Sequence, residues 1–236
     1  MDFETIIFLH LPKAAGTTLH VLINNKVPET NYFEIDGNHL TESIKKFKNL
    51  SIEKKKKLKF IKGHQPFGLH QYTPNRCKYI TLLREPVSRI VSHYYFVKRS
   101  PWHYLYDELT QKNMSLYDYV TSDISIELDN AQTRFISNSL EVPINEISLS
   151  HLETARCNIH EHFLLAGLSE YFDAFLLMLN SYLNWSSIYY LKANITRVKE
   201  KTETITPEIN DIVLSRNQCD LKLYNYVKQR FFEKIA

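Results

Sequence analysis

Apolar positions cluster in short blocks along this chain, and helical stretches separate the blocks. Thr5–Leu11 is a continuous run of β-forming residues closed by Pro12, the pattern of a buried strand. Leu19, Leu22 and Ile23 then recur at helical spacing within Thr17 to Asn25. Tyr32 to Ile35 reads as a second strand, Leu40 to Leu58 as one lysine-rich helix, and Lys59 to Lys62 as a third strand ending at Gly63-His64. Cys77 to Leu83 is a fourth strand. Pro86 stands where proline favours the first helical turn, and Val87, Ile90, Val91 and Tyr94 line one face of the helix that follows to Lys98. Pro101 to Glu146 is aromatic and polar and reads as helix and loop. Further on, the pattern predicts helices over Leu149 to His160, Glu170 to Leu183, from Pro207, and Asp220 to Lys234. Strands are expected at Phe163 to Ala166 and Ile188 to Leu191. Strands alternating with helices imply an α/β fold built on a central parallel sheet. With no repeat, linker or composition break, residues 1–236 read as a single domain.

Composition narrows the class. The chain is 44% hydrophobic and 23% charged, which is ordinary globular usage. Its net charge of +3 lacks the basic excess of a dedicated nucleic-acid binder. Three cysteines without a CxxC pair predict neither a zinc cage nor a disulfide framework, and fit a reducing compartment. The longest later apolar run, Phe172 to Leu179, is broken by Asp173 and is far short of the ~18 residues of a membrane span. The first residues are acidic where a signal peptide needs positive charge. These features predict a soluble, cytoplasmic protein.

Two strand-to-helix corners carry candidate chemistry. In the first, Pro12-Lys-Ala-Ala-Gly-Thr-Thr18, helix N–H groups converge where the dipole favours an anion. Gly16 allows close approach, Lys13 adds charge, and Thr17 and Thr18 add hydroxyls. Lysine here precedes glycine by three residues, unlike the GxxxxGK[ST] loop of nucleoside triphosphatases. The bland alternative is an ordinary turn with a solvated Lys13. In the second corner, Leu83-Arg-Glu-Pro-Val-Ser-Arg-Ile-Val-Ser92, Arg84 closes a strand and Ser92 lies about two turns into the next helix. Arginine suits a bidentate grip on phosphate. Its bland alternative pairs Arg84 with Glu85. Together the corners suit a ligand with two phosphate-type groups at the carboxyl ends of parallel strands.

The two motifs together resemble the sulfotransferases that use 3′-phosphoadenosine 5′-phosphosulfate (PAPS), the heparan sulfate 2-O and 6-O type in particular. The resemblance implies a P-loop-like fold in which Lys13, Ala14, Ala15, Gly16, Thr17 and Thr18 hold the 5′-phosphosulfate and Arg84 and Ser92 the 3′-phosphate. It places a catalytic histidine in Phe60-Ile-Lys-Gly-His-Gln-Pro66, at His64. Ser92-His-Tyr-Tyr-Phe-Val97 is similar to the 2-O type's aromatic continuation, and Asn130-Ala-Gln-Thr-Arg134 to the NxQxR stretch of the 6-O type. Leu165-Ala-Gly-Leu-Ser-Glu170 and Asp220-Leu-Lys-Leu-Tyr224 match later family segments. Asn194 to Pro207, with Arg197, Lys199 and Thr202, resembles a basic loop closing over the nucleotide. Ala14-Ala15 departs from the commoner Thr-Gly or Thr-Ala. The missing anchor and cysteine pairs of the animal enzymes imply a compact, bacterial-type form.

The implied reaction is in-line, metal-free sulfuryl transfer to a hydroxyl of a glycan or polysaccharide, with Lys13 stabilising the leaving phosphate and His64 as general base. A P-loop nucleotide kinase and an inactive module binding adenosine bisphosphate or an anionic glycan stand as alternatives. Other residues carry two readings each. His64 by itself also fits a structural or substrate-contact role. His10 is expected beneath the first loop, and His93 either at the nucleotide or on a helix surface. His160 and His162 are too close in sequence to form a metal pair on one helix face. Lys54–Lys57 with Lys59 is a solvated helix end or a contact for an anionic glycan. Trp102 and Tyr104 fit a core role or a platform for a sugar ring.

Overall fold

A computed structural model describes residues 4–185 and 204–235. Five parallel strands form one sheet in the order β2-β3-β1-β4-β5. At its centre lies β1 (Thr5–Leu9), every residue of which is buried. It pairs with β3 (Phe60–Gly63) on one side and β4 (Cys77–Leu83) on the other. The edges are β2 (Tyr32–Ile35) and β5 (Phe163–Leu168). After β1 the chain crosses through α1 (Gly16–Lys26) to the β2 edge and returns through β3; after β4 it proceeds to β5 at the opposite edge. The boundary between β1 and β4 is therefore a topological switch point, where an open α/β sheet leaves a crevice at its carboxyl ends.

The expected helix over Leu40 to Leu58 is two helices, α2 (Leu40–Lys48) and α3 (Ile52–Lys57). Ser51 causes the break: its extended backbone ends the helical path, and its hydroxyl accepts the Lys54 N–H at 3.3 Å. The lysine run lies in α3, just before the amino end of β3, so it sits at the opposite end of the sheet from the crevice. It is solvated except for Lys55, whose buried ammonium donates to the Lys48 carbonyl at 2.8 Å. The glycan-contact reading of this run is thereby separated from the crevice.

After β4 comes α4 (Pro86–Lys98), followed by the short helices α5 (Tyr106–Gln111), α6 (Leu116–Thr121) and α7 (Ala131–Ser137). Then come α8 (Leu149–His162), α9 (Phe172–Leu183), α10 (Pro207–Arg216) and α11 (Gln218–Ile235). One hydrophobic core surrounds the sheet, and a second joins α4 through Val87, Ile90, Tyr94 and Val97 to α5, α6 and α10. Among the described residues no helix is long and apolar enough to cross a membrane. The strand expected at Ile188 to Leu191 lies outside the described residues.

Candidate active site

The loop after β1 is shaped by backbone that most residues avoid. Lys13 and Ala15 both occupy the left-handed region, at φ 65° and 63°. Each such non-glycine residue costs roughly 1–2 kcal/mol, strain that recurs at ligand-binding sites. Ala15 opens α1 with no side-chain cap, which leaves the first N–H groups of the helix facing the crevice. The next residue must be glycine, because a Cβ on Gly16 would stand 2.0 Å from the His10 ring. His10 is buried beneath the loop, as expected.

The second corner turns on Glu85. Its carboxylate accepts the Val87 N–H at 2.9 Å and the Ser88 N–H at 2.7 Å, so it caps α4. Glu85 therefore does not pair with Arg84. The Arg84 guanidinium instead donates from Nη1 to the Lys13 carbonyl at 3.2 Å. Its backbone is clamped by Gln132, whose side chain accepts the Arg84 N–H and donates to the Arg84 carbonyl, both at 2.9 Å.

Gln132 is held by reciprocal capping of two helices. Buried Asp220 accepts the N–H groups of Gln132 and Thr133 at the start of α7, at 3.1 and 2.7 Å. Asn130 Oδ1 accepts those of Cys219 and Asp220 at the start of α11, at 2.9 and 3.1 Å. Burial outweighs these bonds and raises the Asp220 carboxyl above its ordinary value.

Both corners open onto one cleft of about 2160 Å³, lined by Lys13, Gly16, Thr17, Thr18, Arg84 and Ser92 among others. Ala15 lines it too. Ala14 does not: it is 1% exposed and packs into the sheet core. Arg197, Lys199 and Thr202 lie outside the described residues. Burial first, then Arg84 and Arg99, lower the Lys13 ammonium to about 8, while Glu127 works in the opposite direction. Two neighbouring cations face one cleft, and neither has a carboxylate within ion-pair distance among the described residues. Such an arrangement fits a doubly anionic ligand.

His64 lies on the same cleft, just past β3. Its Nδ1 is 2.8 Å from the His10 carbonyl. A carbonyl only accepts, so Nδ1 carries the proton and Nε2 is left as the acceptor. Burial lowers the His64 pKa, against the bond to His10 and the charge of Glu127. The ring stacks on His10 at 4.1 Å, and His10 in turn lies 4.8 Å from His20. Gly37 makes room, since a Cβ there would stand 2.9 Å from His64 Cβ.

Several cleft residues carried no role in the sequence analysis. Ser88 and Phe96 line the cleft with Ser92. Their spacing of four on either side of Ser92 within α4 would have placed them on one helix face. Glu127 also lines the cleft, and no sequence signal marked it. Its carboxylate lies 2.7 Å from His93 Nε2, and His93 Nδ1 is 2.7 Å from the Tyr119 hydroxyl. Burial opposes ionisation of Glu127, but His93 and Arg89 prevail and hold it down at about 2. His93 is thus buried in this pair, not on a helix surface. Trp102 and Tyr104 are 68% and 66% exposed on the rim, which removes the core reading for both. Among the described residues there is no cluster of three or more His, Cys, Asp or Glu placed to bind a metal.

The chain has relatives among known proteins. Uronyl 2-sulfotransferases of human and of mouse are each 23% identical to the chain over 96% of its length. The chain spans 62% of each of these curated relatives. A crystal structure of mouse sulfotransferase SULT7A1 complexed with PAP matches 96% of this chain and 89% of its own, at 15% identity and a TM-score of 0.35. The profile of the sulfotransferase family matches residues 2–227, nearly the whole sequence. With that match, and with its lysine and arginine corners side by side at the switch point, the chain belongs to the sulfotransferase family.

Proposed function

We propose that this protein transfers the sulfuryl group of PAPS to a hydroxyl of a carbohydrate acceptor, and that residues 1–236 form one domain for that task. One observation carries the reading: the Arg84 guanidinium bonded to the Lys13 carbonyl, with both side chains facing one cleft. Lys13, the start of α1, Thr17 and Thr18 would hold the 5′-phosphosulfate. Arg84 and Ser92 would hold the 3′-phosphate. Arg197, Lys199 and Thr202 would complete the nucleotide site by family resemblance. The uronyl 2-sulfotransferase relatives favour a glycan acceptor over a small alcohol.

PAPS supplies an activated sulfur with an adenosine bisphosphate leaving group. The acceptor oxygen forms a bond to sulfur as the bond from sulfur to the 5′-phosphate oxygen breaks. His64 Nε2 takes the acceptor proton. Lys13 meets the charge that develops on the departing phosphate oxygen. No residue in this scheme calls on a metal.

The test compares thermal stabilisation by 3′,5′-adenosine bisphosphate (PAP) and by ATP with magnesium, followed by labelled-sulfate transfer to a panel of polysaccharides. Stabilisation by PAP and labelling of a glycan are expected. A shift with ATP and magnesium alone would point to a kinase. A PAP shift with no transfer to any glycan would point to an inactive binding module.

A further inference from the structure

The Lys13 ammonium has a partner of an unusual kind. Its Nζ lies 3.9 Å from the centroid of the Phe96 ring. Phe96 closes the helical face that runs from Ser88 through Ser92, so one side of α4 spans the cleft from the arginine corner to the lysine. The ring is braced edge-on by Trp102 at 5.3 Å and by His103 at 5.7 Å.

A half-buried ammonium beside two other cations needs compensation. A carboxylate would supply it, but would also repel an anionic donor and lock the lysine in an ion pair. An aromatic face attracts the cation and carries no net charge. The charged and titratable groups around Lys13 are Arg84, Arg99 and Glu127, with His10, His64 and His103 coupled to it.

We propose that Phe96 is a positioning residue whose ring face keeps the Lys13 ammonium charged and aimed at the place of the donor's phosphosulfate, with the donor bound as well as without it. The proposal rests on the reading of Lys13 as a donor-binding lysine. It predicts that the aromatic face, rather than side-chain volume, is what matters at position 96.

The test uses PAP alone, so it needs no acceptor. Calorimetric PAP affinity is measured from pH 6.5 to 9.5 for the whole protein and for Phe96→Met, Phe96→Leu and Phe96→Tyr. Met and Leu should weaken binding about 3- to 10-fold at pH 8. They should also move the alkaline loss of affinity to lower pH, because the charged lysine has lost its seat. Tyr should restore both. Packing loss alone would lower affinity without moving that midpoint. In a Lys13→Ala background, Phe96→Met should have no further effect. Wild-type affinity and midpoint in Phe96→Met, with Lys13→Ala still impaired, would overturn the role of Phe96. Wild-type PAP affinity in Lys13→Ala would overturn the donor site itself.

Discussion

Arg84 donates from Nη1 to the backbone carbonyl of Lys13, so the arginine of one corner sets the position of the lysine loop in the other. Lysine in place of Arg84 would keep the charge but lose the planar fork that makes this bond while facing an anion. Arg84→Lys should weaken PAP binding by about 10- to 100-fold, a loss of one or two strong hydrogen bonds. Calorimetry with PAP reads this directly, and unchanged affinity would contradict the coupling of the corners.

His64 should separate binding from chemistry. His64→Ala leaves both phosphate corners intact, so PAP affinity should stay near wild type. Transfer should fall by about 10²- to 10⁴-fold, the usual contribution of a general base. Labelled-sulfate transfer at saturating donor would check it, and wild-type turnover would remove His64 from the role.

Activity should show two limbs with pH. His64 must be neutral to accept a proton, and burial lowers its pKa, so the acid limb should fall below the ordinary histidine value of about 6.5. Lys13 must be protonated, and burial beside Arg84 and Arg99 brings it to about 8, so the alkaline limb should lie near there in the free protein. The profile of kcat/KM reports both groups. An alkaline limb near the ordinary lysine value would exclude Lys13 as its source.

Stability should decline in acid before the carboxylates titrate. His10 and His20 are held neutral by burial above all, His20 down to about 3. The unfolded chain takes up these protons near pH 6.5, so below that it binds more protons than the folded one and stability falls as pH falls. His20 contributes on the order of 2 kcal/mol to this loss by pH 5, and His10 adds to it in the same direction. Thermal midpoints at pH 7.5 and pH 5 should differ, and His20→Asn should narrow the gap. Equal midpoints would contradict the buried neutral state.

Ala15 offers a gain. It starts α1 from the left-handed region without a capping side chain. Glycine has no penalty there, so Ala15→Gly should stabilise the fold by about 1 kcal/mol, less what the more flexible unfolded chain takes back. A lower melting temperature in Ala15→Gly would mean that the Ala15 methyl makes contacts outweighing its backbone strain.

Asp220 links fold to site. Asp220→Ala would leave the buried Gln132 and Thr133 N–H groups without acceptors, at about 1–3 kcal/mol each. Gln132 would then loosen its clamp on Arg84. Both the thermal midpoint and PAP affinity should drop. Lower stability with unchanged affinity would confine Asp220 to capping.

Local pattern alone was enough to place the strands from β1 to β5, the helix after Pro86 and both strand-to-helix corners. Apolar blocks, proline and glycine act within a few residues, so they are written in consecutive positions. The same local logic misread Leu40 to Leu58 as one helix, because the lysine-rich periodicity hid the capping role of Ser51. It also left Glu85 as a partner for Arg84, when its nearest donors were the N–H groups of its own helix. What only the tertiary structure decided is which distant groups meet. Sheet order set β4 beside β1 and so brought Arg84 to the Lys13 loop. Chain crossings brought His64 onto the His10 carbonyl, Glu127 onto His93, and Phe96 beneath the lysine. These contacts arise from strand order and helix packing across tens of residues, and no spacing along the chain encodes them.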